Sequence, residues 1–368
     1  QEGKCPDCKR PVERLKEKSY FFRLSAYGER LQKHIEENPG FIRPESKRNE
    51  IVSFLKDGLR DLSVSRTSFK WGIPVPGDPD HVMYVWFDAL ANYLAATGFP
   101  EEGPKSRFWP ADCHIIGKDI LRFHAVYWPA FLMSAGIPLP ERVHAHGWWT
   151  IDGQKMSKSK GNVVDPNGLI DVYGTEAFRY FLMREVPFGL DGDFSEKALI
   201  GRINSELAND LGNLLSRSVS MIEKYRSSLV PAPDPARDRD ELEARVKGAI
   251  SGLKAPYESA MDSLEFSDAL ARLWACIREM NGFVDKSAPW KEKDEETLSN
   301  VLYTLAEGLR LIAVYVYPFM PASAQKMWDA IGLDRRIEGS VFDVEAIWGG
   351  YTPGQAVRKT LPLFPRLL

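Results

Sequence analysis

The chain has 368 residues, which at about 150 residues per domain predicts two or three domains, each with its own core. Hydrophobic residues make up 44% and charged residues 27%, an ordinary globular composition that excludes a disordered or fibrous protein. With 48 basic and 51 acidic residues the net charge is −3, so bulk polyanion binding is excluded and any nucleic-acid contact must come from a local patch.

Gln1 is not an initiator methionine and no signal-peptide pattern follows it, so the chain is expected to begin in mid-protein. Cys5-Pro-Asp-Cys8 has the spacing of half a zinc knuckle. Four cysteines in all cannot form a disulfide framework, which points to a reducing, cytoplasmic compartment. Residues 24–35 and 50–59 carry apolar side chains at helical spacing, and Trp71 to Asp80 is punctuated by Pro and Gly as a loop would be. His81-Val-Met-Tyr-Val-Trp-Phe87 reads as a buried strand, followed by a helix through Ala96. Asp112 to Gly117 is a second strand, residues 118–135 an amphipathic helix, and Val143 to Ile151 a third strand. Strand and helix in alternation predict a parallel α/β sheet, with ligands at the carboxyl ends of the strands.

After about residue 195 the pattern changes to helical periods over 206–225, 240–261, 267–283 and 296–316, which predict an all-α bundle. The Pro-rich stretch 231–240 reads as a linker. The longest uncharged apolar stretch, Leu311 to Ala324, is too short to span a bilayer and contains Pro318 and Pro321, so no membrane partner is expected.

The string with the most chemistry in it is Lys155-Met-Ser-Lys-Ser159, after the turn Asp152-Gly-Gln154. Two lysines three apart on such a loop can bring ammonium charges to a triphosphate, where negative charge on a departing pyrophosphate needs them. A solvated Lys/Ser loop is the plain alternative. Its place after a strand and before Gly161-Asn-Val-Val-Asp-Pro166 favours the phosphate site. This string resembles the second signature of class I aminoacyl-tRNA synthetases. With Tyr20-Phe-Phe-Arg-Leu-Ser25, Val85-Trp-Phe-Asp-Ala89, His114-Ile-Ile-Gly-Lys-Asp-Ile120 and Phe178-Arg-Tyr-Phe-Leu182 it resembles the bacterial methionyl-tRNA synthetases, in the family's order and over essentially the whole chain.

The resemblance implies the second half of a Rossmann-like sheet with part of a connective domain, then a helical-bundle anticodon-binding domain. The implied segments are a connective remainder (1–75), the nucleotide-binding half (76–145), the signature-loop region (146–200) and the anticodon-binding domain (201–368). It implies methionine activation by ATP, with Mg²⁺ accompanying the phosphates, and transfer to tRNA(Met). The family's first signature is missing, so catalysis is expected to need an N-terminal half supplied as a second piece. A tRNA-binding fragment inactive on its own, or a synthetase for Leu, Ile, Val or Cys, are the rival readings. No further domain is visible after Leu361-Pro-Leu-Phe-Pro365, which leans toward a monomer.

Lys155 and Lys158 are the residues implied to stabilise the transition state. Gly117, Asp119, Gly147, Trp149, Lys155, Met156, Ser157, Lys158 and Ser159 are implied to hold ATP. For the amino acid, Trp86, Leu90 and Tyr93 form one ridge and Ile120, His124 and Trp128 another. Spacing alone leaves these as core stripes. The resemblance makes them, with Ala89 and Asp119, a methionine pocket, where a polarizable sulfur gains from aromatic edges and polar contacts from Tyr93 and His124 add to shape. Leu90 stands where some members carry Pro.

Asn209, Asn213 and Arg217 fall at i, i+4 and i+8 of one helix, opposite Leu207, Leu211, Leu214, Leu215 and Ile222. Such a ridge can read base edges, and Trp290 can stack under an extruded base. A solvated face and a core tryptophan are the alternatives. The resemblance places Asn213, Arg217 and Trp290 on the CAU anticodon. It also implies that the two further ligands needed for Zn²⁺ at Cys5 and Cys8 lie upstream, since Cys113 and Cys276 fall in regular elements.

Overall fold

The computed structural model describes residues 3, 11, 17–156, 161–234 and 241–367. The chain divides into two compact units, residues 1–147 and residues 148–368.

The first unit is built on a three-stranded parallel sheet in the order Ile42–Arg43, Val143–His146, His114–Gly117. Val143 pairs with both Ile42 and His114 across the register. Its core takes Ile42, Ile116, Val143 and Ala145 from the strands, Leu31 and Ile35 from the helix Gly28–Glu37, and Ile51 and Leu55 from the helix Glu45–Lys56. Covering helices are what a parallel sheet needs to bury its backbone and apolar side chains.

Three expected elements differ. The strand expected at 81–87 does not join this sheet. Asp78–Met83 pairs antiparallel with Ser65–Arg66 and Pro74–Val75, and Val85 already opens the helix Val85–Thr97. The β-branched and aromatic run that suggests a strand is overridden because Leu90 and Leu94 of that helix have a core to enter. The parallel strand that takes its place, Ile42–Arg43, is too short to show any period. The strand expected over 143–151 is interrupted after His146 and resumes at Trp149–Ile151 in a different sheet. The single helix expected over 118–135 is a 3₁₀ turn Lys118–Ile120, a π-turn Phe123–Tyr127 and an α-helix Trp128–Ala135. Pro129 cannot donate to Ala125 and its ring crowds that carbonyl, and the widened turn lies directly before it.

The second unit opens with a sheet in the order Gln154–Lys155, Trp149–Ile151, Gly192–Asp193. The helices Pro166–Tyr173, Thr175–Glu185 and Glu196–Arg202 follow, the last continuing as a π-helix, Ile203–Gly212, and an α-helix, Asn213–Arg226. Glu241–Ser251, Lys254–Asp262, Phe266–Ser287, Glu295–Val316 and Pro321–Ala330 complete the bundle. From Asn300 to Val316 every residue of Glu295–Val316 is buried, so this helix is the bundle's axis. A β-carbon on its Gly308 would sit 2.4 Å from Met280 Cε; glycine here lets the helix Phe266–Ser287 close on the axis. Two charges are buried on the axis as well. Arg310 Nε and Nη2 each lie 2.8 Å from a carboxylate oxygen of Glu307.

Candidate functional site

In the first unit the two aromatic ridges face each other. Trp86 stacks on Phe123 with ring centroids 3.9 Å apart, and the Tyr93 ring lies 4.2 Å from His114 and 5.6 Å from His124. Trp109 and Trp128 meet edge to face at 5.8 Å on the same cluster. Leu90 and Trp128 are buried, whereas Trp86, Ala89, Tyr93, Asp119 and Ile120 keep some exposure. Phe123, His114 and Trp109 are site neighbours that the spacing argument misses. Phe123 lies in the widened turn one residue before His124, and its ring covers Trp86.

The protons in this cluster can be assigned from geometry. His124 Nδ1 lies 3.1 Å from the Ile120 carbonyl, which can only accept, so Nδ1 carries the proton. Nε2 then accepts from Tyr93 Oη at 2.8 Å. Both protons are therefore engaged within the cluster. A sulfur gains a donor here only when the Tyr93–His124 bond gives way. His114 Nε2 and Trp128 Nε1 are buried with no hydrogen-bond partner.

Burial holds His124 below the usual histidine range and, with the nearby His124, pushes His114 down to about 4. Burial, helped by Arg142 and Arg43, does the same to His144, also to about 4. These histidines are neutral in the folded unit and protonate near 6.5 once unfolded. Their effect on stability is absent above 6.5, grows as pH falls from 6.5 to about 4, and is constant below that. The first unit is expected to lose stability through that window, as measured by urea unfolding at a series of pH values. His144→Phe should flatten the slope, and an unchanged slope would count against this assignment.

At the end of the strand His114–Gly117 the Asp119 carboxylate folds back over Gly117. A β-carbon at 117 would lie 2.6 Å from Asp119 Oδ1, so the backbone must be glycine for Asp119 to take this position. Gly147 follows His146, whose Nδ1 lies 2.8 Å from the Gly147 carbonyl.

The second unit carries the start of the signature loop. Ile151 and Gln154 pair across a two-residue turn in which Asp152 and Gly153 both have positive φ, 50° and 70°. Asp-Gly is the pair best suited to that mirror-image turn, whose twist matches the strands. Asp193 secures it: its Oδ1 accepts from Thr150 Oγ1 at 2.7 Å and from the Gly153 amide at 2.9 Å. Those bonds, Thr150's first, hold the Asp193 carboxyl below its ordinary range. Asp191 accepts from the Trp148 amide at 2.9 Å. Neither aspartate is apparent from the signature itself; the string Asp191-Gly-Asp193 is the only cue. Lys155 Nζ sits 3.9 Å from the centroid of the Trp148 ring. The half-buried Trp149 ring packs on Phe181 and against Gly192. Met156 ends the described part of the loop; Ser157, Lys158 and Ser159 lie outside the described residues.

Farther along this unit, Asn209 and Asn213 are exposed on the helical run 203–226. Arg217 Nη2 donates to Asp285 Oδ1 at 2.7 Å, and its guanidinium lies 5.9 Å from the Trp290 ring centroid. Trp290 is 47% exposed, so it is not a core tryptophan. It is presented by the turn after Phe266–Ser287, where Ala288 is left-handed and the Lys291 amide bonds the Ala288 carbonyl. Arg217 and Trp290 are thus together, while Asn209 instead touches Asp210.

Among the described residues no group of three or more His, Cys, Asp or Glu is placed to hold a metal, and Cys5 and Cys8 lie outside them. No helix among them is long and apolar enough to cross a membrane.

Residues 1–219 match the family model described as tRNA synthetases class I (M), which defines the class. Residues 232–367 match the model of the anticodon binding domain of methionyl tRNA ligase. Over 373 residues the chain is 51% identical to the methionine–tRNA ligase of Caldanaerobacter subterraneus subsp. tengcongensis, covering 100% of this chain and 57% of that protein. It is 48% identical to the Bacillus subtilis methionine–tRNA ligase, covering 99% and 55%. The Mycobacterium tuberculosis methionyl-tRNA synthetase in complex with methionyl-adenylate superposes with a TM-score of 0.91 at 45% identity, covering 98% of this chain and 71% of that one. The chain belongs to the methionyl-tRNA synthetase family. It spans little more than half the length of the curated relatives it matches.

Proposed function

We propose that this chain is the part of a methionine–tRNA ligase that contributes the methionine pocket, the pyrophosphate-side loop and the anticodon-reading bundle. The enzyme joins methionine to ATP, releases pyrophosphate and passes the methionyl group to tRNA(Met). The observation that carries this reading is the facing pair of aromatic ridges, Trp86 on Phe123 and Tyr93 on His124, in a chain of this family. A linear, polarizable side chain fits between flat rings where a β-branched one collides, which favours methionine over isoleucine and valine. Asp119 and Ile120 complete the pocket wall, and Asp119 is the acidic group for the substrate amine or ribose.

Lys155 and Lys158 neutralise the charge that builds on the leaving pyrophosphate. Gly117, Gly147 and the backbone of Trp149 hold the nucleotide, and Mg²⁺ accompanies its phosphates. Zn²⁺ at Cys5 and Cys8 needs two ligands from outside this chain. The family's first signature must likewise come from an N-terminal half, and the assembled enzyme acts in the cytoplasm. Residues 201–368 read the CAU anticodon through Asn209, Asn213, Arg217 and Trp290.

The test is amino-acid-dependent ATP–pyrophosphate exchange by the whole enzyme, with methionine, leucine, isoleucine, valine and cysteine compared. Exchange with methionine alone is expected; exchange with another amino acid would overturn the specificity. The RNA half is tested on this chain directly. Trp290→Ala is expected to weaken binding of a CAU anticodon stem-loop by about 10- to 100-fold, the worth of one base stacked on an aromatic ring. In the whole enzyme it should leave exchange intact. Equal loss of both activities would remove Trp290 from the RNA site.

A further inference from the structure

Asn204 and Asn213 are nine residues apart, two and a half turns of an α-helix, which would put them on opposite faces. Both nevertheless line one groove of about 490 Å³, together with Ala208, Asn209, Gly212 and Ser216 and closed on its far side by residues 362–366. The π-helix Ile203–Gly212 makes this possible, because its wider turns change the phase of every side chain upstream of Asn213. A π-helix of this length needs external support, and the structure shows where it comes from.

The helix Phe266–Ser287 sends two side-chain donors to its carbonyls: Trp274 Nε1 to Glu206 O at 3.4 Å and Asn281 Nδ2 to Asp210 O at 3.0 Å. The buried Glu206 carboxylate ties the same segment to its neighbours. It accepts from Tyr180 Oη at 2.5 Å, Arg202 Nη1 at 2.8 Å and Arg184 Nη2 at 3.2 Å. Asn204 exchanges two bonds with the backbone of Leu367, at 2.8 and 3.0 Å, and so fixes the groove's far wall. The helix that supplies Asn281 also supplies Asp285 to Arg217 and ends at the turn bearing Trp290.

We propose that Asn281 is a positioning residue for anticodon reading: by holding the Asp210 carbonyl it keeps the π-helix wound, and so turns Asn204, whose bonds to Leu367 fix the far wall, onto the side of the groove that Asn209 and Asn213 line. The inference rests on the anticodon reading given above. Its chemistry is indirect, since Asn281 acts through the backbone.

The experiment is fluorescence-anisotropy binding of this chain to a stem-loop RNA carrying CAU, and to stem-loops with one anticodon base changed at a time. The wild-type chain is expected to prefer CAU by about tenfold or more, the discrimination typical of a read base. Asn281→Leu keeps the side chain's shape and removes the donor. It is expected to lose most of that preference while binding the changed stem-loops as the wild type does. Loss of affinity for all stem-loops alike would overturn the proposal, because that is what a merely structural role produces. An unchanged preference would overturn it too. A wild-type chain indifferent to the anticodon would instead overturn the anticodon reading, and this inference with it. Should Asn281→Leu fail to fold by circular dichroism, Asn281→Ala carries the same comparison.

Discussion

Arg310→Met is expected to destabilise the helical unit by about 3–5 kcal/mol, the typical cost of leaving one member of a buried ion pair without its partner. Arg310 and Glu307 are 1% and 0% exposed on the axis helix. Glu307 accepts not only from Arg310 but from the backbone amides of Gly349, Gly350 and Tyr351, at 2.6, 3.1 and 2.9 Å. Arg310 in turn donates to the Glu345 and Ile347 carbonyls, at 2.8 and 2.6 Å, and to Glu345 Oε2 at 3.0 Å. The pair is therefore a clamp between the axis helix and the segment 345–351, and methionine fills the volume without supplying a donor. Urea unfolding followed by circular dichroism measures the effect. The double variant Glu307→Gln with Arg310→Met should recover part of the loss, since the unpaired Glu307 charge is removed while an amide oxygen still accepts from the 349–351 backbone. A cost below about 1 kcal/mol for the single variant, the level of a surface pair, would show that the charges are solvated after all.

The second large effect is on the reaction. Lys155→Ala is expected to lower the rate of adenylate formation by the whole enzyme about 100- to 1000-fold, the cost of removing one preorganised group from developing charge. The KM for methionine should hardly change, because the side chains proposed for its pocket lie on residues 86–128. The lysine is found against the Trp148 ring, and such a cation–π contact near solvent is worth about 0.5–1 kcal/mol. That is small beside the attraction of a triphosphate, so on the proposed reading Lys155 would leave the indole at little cost. Single-turnover adenylate formation at saturating ATP decides the matter. A variant with normal turnover and only a raised KM for ATP would mean that Lys155 binds the ground state and not the transition state.

The helices of the bundle follow from side-chain period in part: the single helix expected over 240–261 is broken around Gly252 into Glu241–Ser251 and Lys254–Asp262, and the one expected over 206–225 starts inside the π-helix Ile203–Gly212. Glu295–Val316 was expected at 296–316 and is found one residue longer, because a nearly unbroken apolar surface leaves a helix no place but the centre. The family is written in five short strings, whose glycines, lysines and aromatics are demanded by chemistry at particular backbone positions and survive as local patterns. The alternation of strand and helix in the first unit shows the class of sheet, yet it does not identify the strands. Ile42–Arg43 is a strand only because Val143–His146 lies beside it, and Val85 to Phe87 is helical only because Leu90 and Leu94 have a core to fill.

What the sequence by itself determined about this protein is therefore whatever local chemistry encodes: helix periods, the Asp-Gly turn, the signature lysines and the aromatic ridges. Only the tertiary structure decided how those side chains are spent. The proton count of the Tyr93–His124 pair, the place of Lys155 on Trp148, the support of the hairpin by Asp193 and the phase of Asn204 each depend on a partner some seven to seventy residues away. The physical reason is the same in each case. A hydrogen bond, a ring contact or a widened helical turn is fixed by which groups meet across the fold, and periodicity along one chain carries no record of that.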